Sequence, residues 1–269
     1  MKRLTAFAVA AVVSLVIVAW APAQTGDATA DGNDHPNVGA LLRMRADGSL
    51  TILCSGTLVS THVFLTAGHC ADYLLTHGQP TAYVTFDPNF GTDATRGYKV
   101  YSTPYNGQVI NNPDWHTPYQ NDTALIDFGS AVTGITPATI APLGFLDDLK
   151  KSRAIYDTPF TNVGYGTSEQ VVVPTTGPTF PFDGVRKWTV SGFFALDPEF
   201  IHLNQNQTLG ESGTGYGDSG GPTFVDTENG PVIVSVVSTG DNPCYATGVN
   251  ERVDIPNAQD FLAPYLAQG

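Results

Sequence analysis

Apolar and polar positions along the chain fall into many short runs rather than a few long periodic ones. Runs at 38–44, 51–53, 57–58, 63–66, 83–86, 98–100 and 124–128 are rich in β-branched and aromatic residues, and 160–165, 186–192, 223–225, 232–238 and 248–253 continue the series. Each is short enough to read as a strand. Turn chemistry separates several of them, as at Ala46-Asp47-Gly48, Asp87-Pro88-Asn89 and Glu228-Asn229-Gly230. About a dozen strands without intervening helices predict antiparallel barrels or sandwiches, because parallel sheets need crossover helices. One helix is predicted, at the end of the chain. Pro256 suits its first turn, and Phe261, Leu262, Tyr265 and Leu266 recur at three- and four-residue spacing. Residues 143–153 interrupt the strand series and predict a boundary between two β units, 36–145 and 146–269.

The first 23 residues follow a different pattern. Lys2 and Arg3 precede an uncharged apolar stretch, 4–20, and Ala21-Pro22-Ala23 then places small residues where a signal peptidase reads them. Positive start, apolar middle and small-residue cut predict a secretory signal cleaved after Ala23, with an uncleaved anchor as the alternative. No other stretch is apolar for long enough to span a bilayer, so no stable membrane association is expected after cleavage. Export would place the cysteines in an oxidising compartment. Residues 24–35, polar and rich in Gly and Asp, are expected to form a flexible lead-in.

Composition narrows the function classes. With 12 Lys plus Arg against 25 Asp plus Glu, the net charge is −13, which excludes a phosphate-binding surface and hence a nucleic-acid partner. The chain is 42% hydrophobic, too apolar for a disordered protein. Acidic residues are dispersed and 217–222 lacks the Lys of a phosphate cradle, so neither a metal nor a nucleotide cofactor is expected.

Three stretches carry candidate chemistry. In Leu65-Thr66-Ala67-Gly68-His69-Cys70, His69 follows a strand and adjoins a cysteine. A bridge from Cys70 to Cys54 would pin the His69 loop, worth roughly 3 kcal/mol for a ring of that size. In Asn121-Asp122-Thr123-Ala124-Leu125-Ile126, Asp122 enters an apolar strand, as does an acid that must be shielded from water to hold one histidine tautomer; a plain turn aspartate has the same local look. Gly217-Asp218-Ser219-Gly220-Gly221-Pro222 surrounds a serine with glycines. The Gly217 and Ser219 amides can converge on one oxygen there, and the glycines permit a sharp bend behind a nucleophile.

In the order His–Asp–Ser, these stretches resemble the trypsin/chymotrypsin-like serine proteases, through LTAGHC (65–70), NDTALI (121–126) and GDSGGP (217–222). The resemblance runs from about Pro36 to the C-terminal helix. It implies two antiparallel six-stranded β-barrels followed by that helix, and a secreted, monomeric endopeptidase acting on protein or peptide. Ser219 would attack the carbonyl, His69 would take and return the proton, and Asp122 would orient His69; the Gly217 and Ser219 amides would form the oxyanion hole. Ser238-Thr239-Gly240 resembles the segment that pairs with substrate backbone. Gly213 takes the place of the specificity-pocket floor, and Gly248 that of another pocket residue.

The chain also departs from the family. With Gly213, Gly240 and Gly248 all lacking side chains, an open, uncharged pocket is expected, suited to a large apolar or aromatic side chain, while Glu211 leaves a basic preference open. The family's Ile-Val-Gly-Gly start, whose ammonium pairs with the acid before the nucleophile, is missing. Asp218 therefore needs another partner: Gln24, freed by signal cleavage, or an internal group. Cys244 faces Gly215 where the family has a second cysteine, and is expected to be a buried free thiol or an intermolecular link. Without a partner for Asp218, a non-catalytic binding protein on the same fold becomes the competing reading, and an esterase sharing the acyl chemistry is another. Asn206-Gln207-Thr208 is an acceptor pattern for glycosylation.

Overall fold

A computed structural model describes residues 24–89, 103–174 and 177–267. The targeting segment 1–23 and the expected strand at 98–100 lie outside the described residues. Six strands close the first barrel in the order Val38–Met44, Leu50–Leu58, Val63–Thr66, Ala124–Asp127, Tyr105–Asn111 and Thr81–Thr85. The second barrel runs Lys187–Leu196, Phe200–Asn204, Thr247–Arg252, Gly230–Gly240, Pro222–Thr227 and Phe160–Gly164, which returns to the first of these. All of the barrel pairings are antiparallel.

Several strands are apolar on both faces, and the packing explains why. In Val63–Thr66, Phe64 points into the first barrel's core while Val63 and Leu65 join a second cluster that includes Val163, Phe224 and Val236 of the other barrel. Likewise Leu41 and Ile126 fill the first barrel, while Val38, Leu42 and Leu125 face the seam. With two-residue periodicity and both faces covered, the run reads as continuous hydrophobicity rather than alternation. The C-terminal helix, Pro256–Leu266, begins at the predicted proline and sets Leu262 into the same seam.

The differences from expectation have local causes. Runs 51–53 and 57–58 are one strand, Leu50–Leu58, since Cys54, Ser55 and Gly56 between them are buried, Ser55 across the seam. Strand Tyr105–Asn111 escapes the pattern because its buried positions are a glycine and a valine, Gly107 and Val109. Phe200–Asn204 is also additional. Helix Phe145–Ser152 occupies the expected boundary region, with Asp147 and Asp148 in its first turn and Lys150 and Lys151 in its last, the polarity that the helix dipole favours. Thr139–Ile140 already pairs, in parallel, with Gly230–Gly240, so the chain crosses to the second barrel before that helix.

The segment 24–35, expected as a flexible lead-in, is instead anchored. Thr29 and Ala30 pair with Trp188 and Lys187, and Asp31 is buried against the buried Arg186 at 2.7 Å. Arg186 also donates to the Val38 and Phe86 carbonyls of the first barrel, so one guanidinium ties the segment to both barrels. Its polar composition concealed this, because its partners lie far along the chain. Asp31→Ala would strand a buried guanidinium, and we expect it to lower unfolding free energy by about 3–5 kcal/mol in chemical denaturation.

Candidate functional site

The strand Val63–Thr66 ends at Ala67, and helix Gly68–Thr76 begins at once, placing His69 in its first turn beside the inter-barrel cleft. The Cys54–Cys70 disulfide, Cα–Cα 6.4 Å, ties that turn to the neighbouring strand as expected. Cys54, His69 and Cys70 lie close enough to suggest a metal site, but both sulfurs are committed to the disulfide. Trp115 packs over Gly68, where a Cβ would approach its ring to 2.4 Å.

Asp122 lies just before strand Ala124–Asp127 and has no exposed surface. Its carboxylate accepts four hydrogen bonds. His69 contributes two, from Nδ1 (2.8 Å) and its main-chain amide (2.7 Å); Trp115 Nε1 adds one at 3.2 Å and the Ser238 hydroxyl one at 2.5 Å. Burial alone would raise the carboxyl's pKa, but the hydrogen bond and charge attraction from His69, with the Ser238 bond, outweigh it and hold the group below its ordinary value. Asp122 therefore stays ionised and fixes the His69 ring.

Ser219 lines the same cleft as His69. The loop holding it is braced from the first barrel by Ser55. The Ser55 amide donates to the Ser219 carbonyl (2.8 Å), and its hydroxyl donates to the Gly217 carbonyl (2.9 Å). Gly220, at φ +79°, packs so closely that a Cβ would lie 2.2 Å from Thr66 Oγ1 and 2.6 Å from the Ala67 amide nitrogen. Glycine there lets the Ser219 loop touch the base of the His69 turn. Among the described residues, neither the Gly217 nor the Ser219 amide donates a hydrogen bond, so both are available to a ligand oxygen.

Asp218 is fully buried, and its partners are internal. Its carboxylate accepts from the Gly215 and Gly166 amides, each at 2.8 Å, and from Gln24 Nε2 at 3.1 Å. Burial pushes its pKa up to about 6, against the pull of those donors. The Gln24 main-chain amide meets the Thr167 carbonyl, and Thr25 pairs with Gly213. Gln24 thus reaches Asp218 through its side-chain amide.

Every structural observation so far fits one family. The trypsin family model matches residues 24–261. The chain belongs to the trypsin family. A search of curated proteins finds no match. Membership in this family of serine proteases accounts for the two barrels, the seam between them and the three motifs along it.

The cleft of this trypsin-family chain has a lining that differs from the expected one. Ser238, Thr239 and Gly240 line the cleft, as do Tyr119, Thr214 and Tyr216. Gly213 and Gly248 do not. The Gln205 side chain takes the space above Gly213, where a Cβ would lie 2.1 Å from its Oε1, and a Cβ on Gly248 would lie 3.3 Å from the same oxygen. The Gln205 carboxamide is buried, and its Oε1 accepts the Thr214 amide at 3.1 Å. Gln205, just after strand Phe200–Asn204, thus fills the space that the absent side chains of Gly213 and Gly248 leave. Glu211 lies against Gly192 and does not line the cleft. Cys244 is a buried free thiol that lines the cleft wall, its pKa raised to about 11, foremost by burial.

Sequence reasoning missed Ser55, Trp115, Gln205 and the side-chain role of Gln24. Only Ser55 carried a signal, its place beside Cys54. Ser238 lines the cleft with the segment expected to pair with substrate backbone, and its hydroxyl also serves Asp122, a role that the sequence did not reveal. Because the Gln24 amide favours ionised Asp218, its loss should matter only where that acid is charged. We expect Gln24→Ala to destabilise the protein by about 1–3 kcal/mol at pH 7.5, with the penalty shrinking below pH 6 as Asp218 protonates, measured by denaturation at both pH values.

Proposed function

We propose that this chain is a secreted serine endopeptidase that cleaves peptide bonds through an acyl-enzyme, with Ser219 as nucleophile, His69 as general base and acid, and Asp122 as the orienting acid. The observation that carries the reading is the His69 Nδ1–Asp122 contact at 2.8 Å, made by a fully buried carboxylate in a cleft that also holds Ser219. Nδ1 bound to a carboxylate carries the proton, which leaves Nε2 free to accept one from the Ser219 hydroxyl. The developing oxyanion would then be met by the Gly217 and Ser219 amides, which have no competing partner among the described residues. The reading as an inert binding protein rested on an unpartnered Asp218, and the three donors on that group weigh against it. Secretion is supported by the targeting pattern at 1–23 and by a disulfide.

A serine-directed organophosphate is expected to label Ser219 in native protein and not in denatured protein, as read by peptide mass. Ser219→Ala should lower kcat on a peptide substrate by about a million-fold; retention of most activity would refute the assignment.

The Gln205 floor supports a preference for short or polar side chains before the scissile bond over large aromatic ones. Gln205→Ala would reopen the space above Gly213, and we expect kcat/KM for Phe relative to Gln at that position to rise about tenfold or more. An unchanged ranking across a substrate panel would remove Gln205 as the determinant.

A further inference from the structure

Tyr119 and Asp122 bear on His69 from one loop. The Asp122 carboxylate holds Nδ1 at 2.8 Å, and the Tyr119 ring stands edge-on to the imidazole, its centroid 5.3 Å away at 90°. The placement of His69 therefore depends on the course of residues 119–122. That course is one the chain resists. Tyr119 (φ 62°) and Asn121 (φ 52°) both adopt the left-handed conformation that residues other than glycine rarely take, so contacts elsewhere must impose it.

The loop supplies some of those contacts itself. The main chains of His116 and Gln120 exchange hydrogen bonds at 3.2 and 3.0 Å, and Asn121 Nδ2 donates to the Asp114 carbonyl at 3.1 Å. At the base, Asn112 Nδ2 donates to Thr123 Oγ1 and to Asn257 Oδ1 of the C-terminal helix, each at 2.9 Å. Among the described residues, one hydrogen bond reaches 116–121 from outside the loop. The Asn121 amide donates to Glu199 Oε1 at 2.7 Å, across the seam and 78 positions along the chain.

The turn that presents Glu199 is itself fixed. It joins strands Lys187–Leu196 and Phe200–Asn204, and Asp197 Oδ1 accepts the Glu199 and Phe200 amides at 2.9 and 2.7 Å. From the adjacent strand, Arg252 donates its main-chain amide to the Glu199 carbonyl and Nη1 to the Asp197 carbonyl, both at 3.0 Å. Ion pairs with Asp147 and Asp254 hold that guanidinium in place. The acceptor thus meets the Asp122 loop from a rigid mount.

We propose that Glu199 is a positioning residue for the His69–Asp122 pair: by accepting the Asn121 amide across the barrel seam, it holds 119–122 in their left-handed course and sets Asp122 and Tyr119 against His69. The proposal rests on the serine-peptidase reading of that pair. A misplacement of about 1 Å in reacting groups costs on the order of a hundredfold in rate, so a bond that fixes the loop acts on turnover. A bond serving stability alone would leave the turnover of folded enzyme unchanged.

The test compares wild type, Glu199→Gln, Glu199→Asp and Glu199→Ala in the full chain, each first titrated with the serine-directed label to count competent sites. Gln keeps an acceptor oxygen at the same reach, so kcat per labelled site should stay within about threefold of wild type. Glu199→Ala should lose about tenfold or more in kcat and in labelling rate, with KM within about threefold. Glu199→Asp, which keeps the acid but withdraws it by one methylene, should show the same pattern more weakly and serves if the Ala variant does not fold. Proton NMR supplies a readout free of catalysis. The downfield resonance of the His69 Nδ1 proton, shared with Asp122, should persist in wild type and Glu199→Gln and broaden in Glu199→Ala at the same pH. Wild-type kcat in a labelled Glu199→Ala or Glu199→Asp, or a Glu199→Gln as slow as Glu199→Ala, would overturn the clamp and leave the peptidase reading standing. Absence of labelling in wild type would overturn the peptidase reading and this proposal with it.

Discussion

A carboxylate with no exposed surface must find its donors inside the protein, and Asp122 draws them from both barrels. His69 and Trp115 come from the first and Ser238 from the second. Removing any one partner would leave a buried charge less compensated, at a cost of about 1–3 kcal/mol. The relative placement of the barrels is therefore coupled to the ionisation of one acid. The apolar seam makes that placement rigid, because Val63, Leu65 and Leu125 of the first barrel pack against Val163, Phe224 and Val236 of the second.

Three buried acids along this seam are accommodated in three ways. Asp122 is kept charged by main-chain and side-chain donors from His69, Trp115 and Ser238. Asp218 has two main-chain amides and the Gln24 carboxamide, enough to hold it but not to offset burial fully. Glu251 has little compensation for a charge, and protonation meets the same constraint. The number and nature of the donors decide the state in each case, rather than depth of burial.

The fold was largely legible because strand runs and turn residues are local properties. Val38–Met44 and Val63–Thr66 appear with the boundaries their side chains suggest, as does the start of the terminal helix at Pro256. Tyr105–Asn111 was hidden because Gly107 is buried by close approach to the Asp127 main chain, a neighbour about twenty residues on, and not by its own apolarity. The segment 24–35 was misread for a similar reason. Polar residues look solvent-bound until a buried Arg186 and a buried Asp218 are set against them.

By itself, the sequence determined a chain of many short strands, the order of the three motifs and the Cys54–Cys70 link, since each depends on residue type and spacing within a short span; the two-barrel plan came from the family resemblance that those motifs carry. Tertiary structure alone decided how Asp218 is partnered, that Ser55 braces the Ser219 loop, and that the Ser238 hydroxyl serves Asp122. The physical reason is common to all three. Each is a contact between polar groups distant along the chain, in a dry interior where a side chain's role depends on which donors and charges other segments bring to it, and residue type alone does not record that.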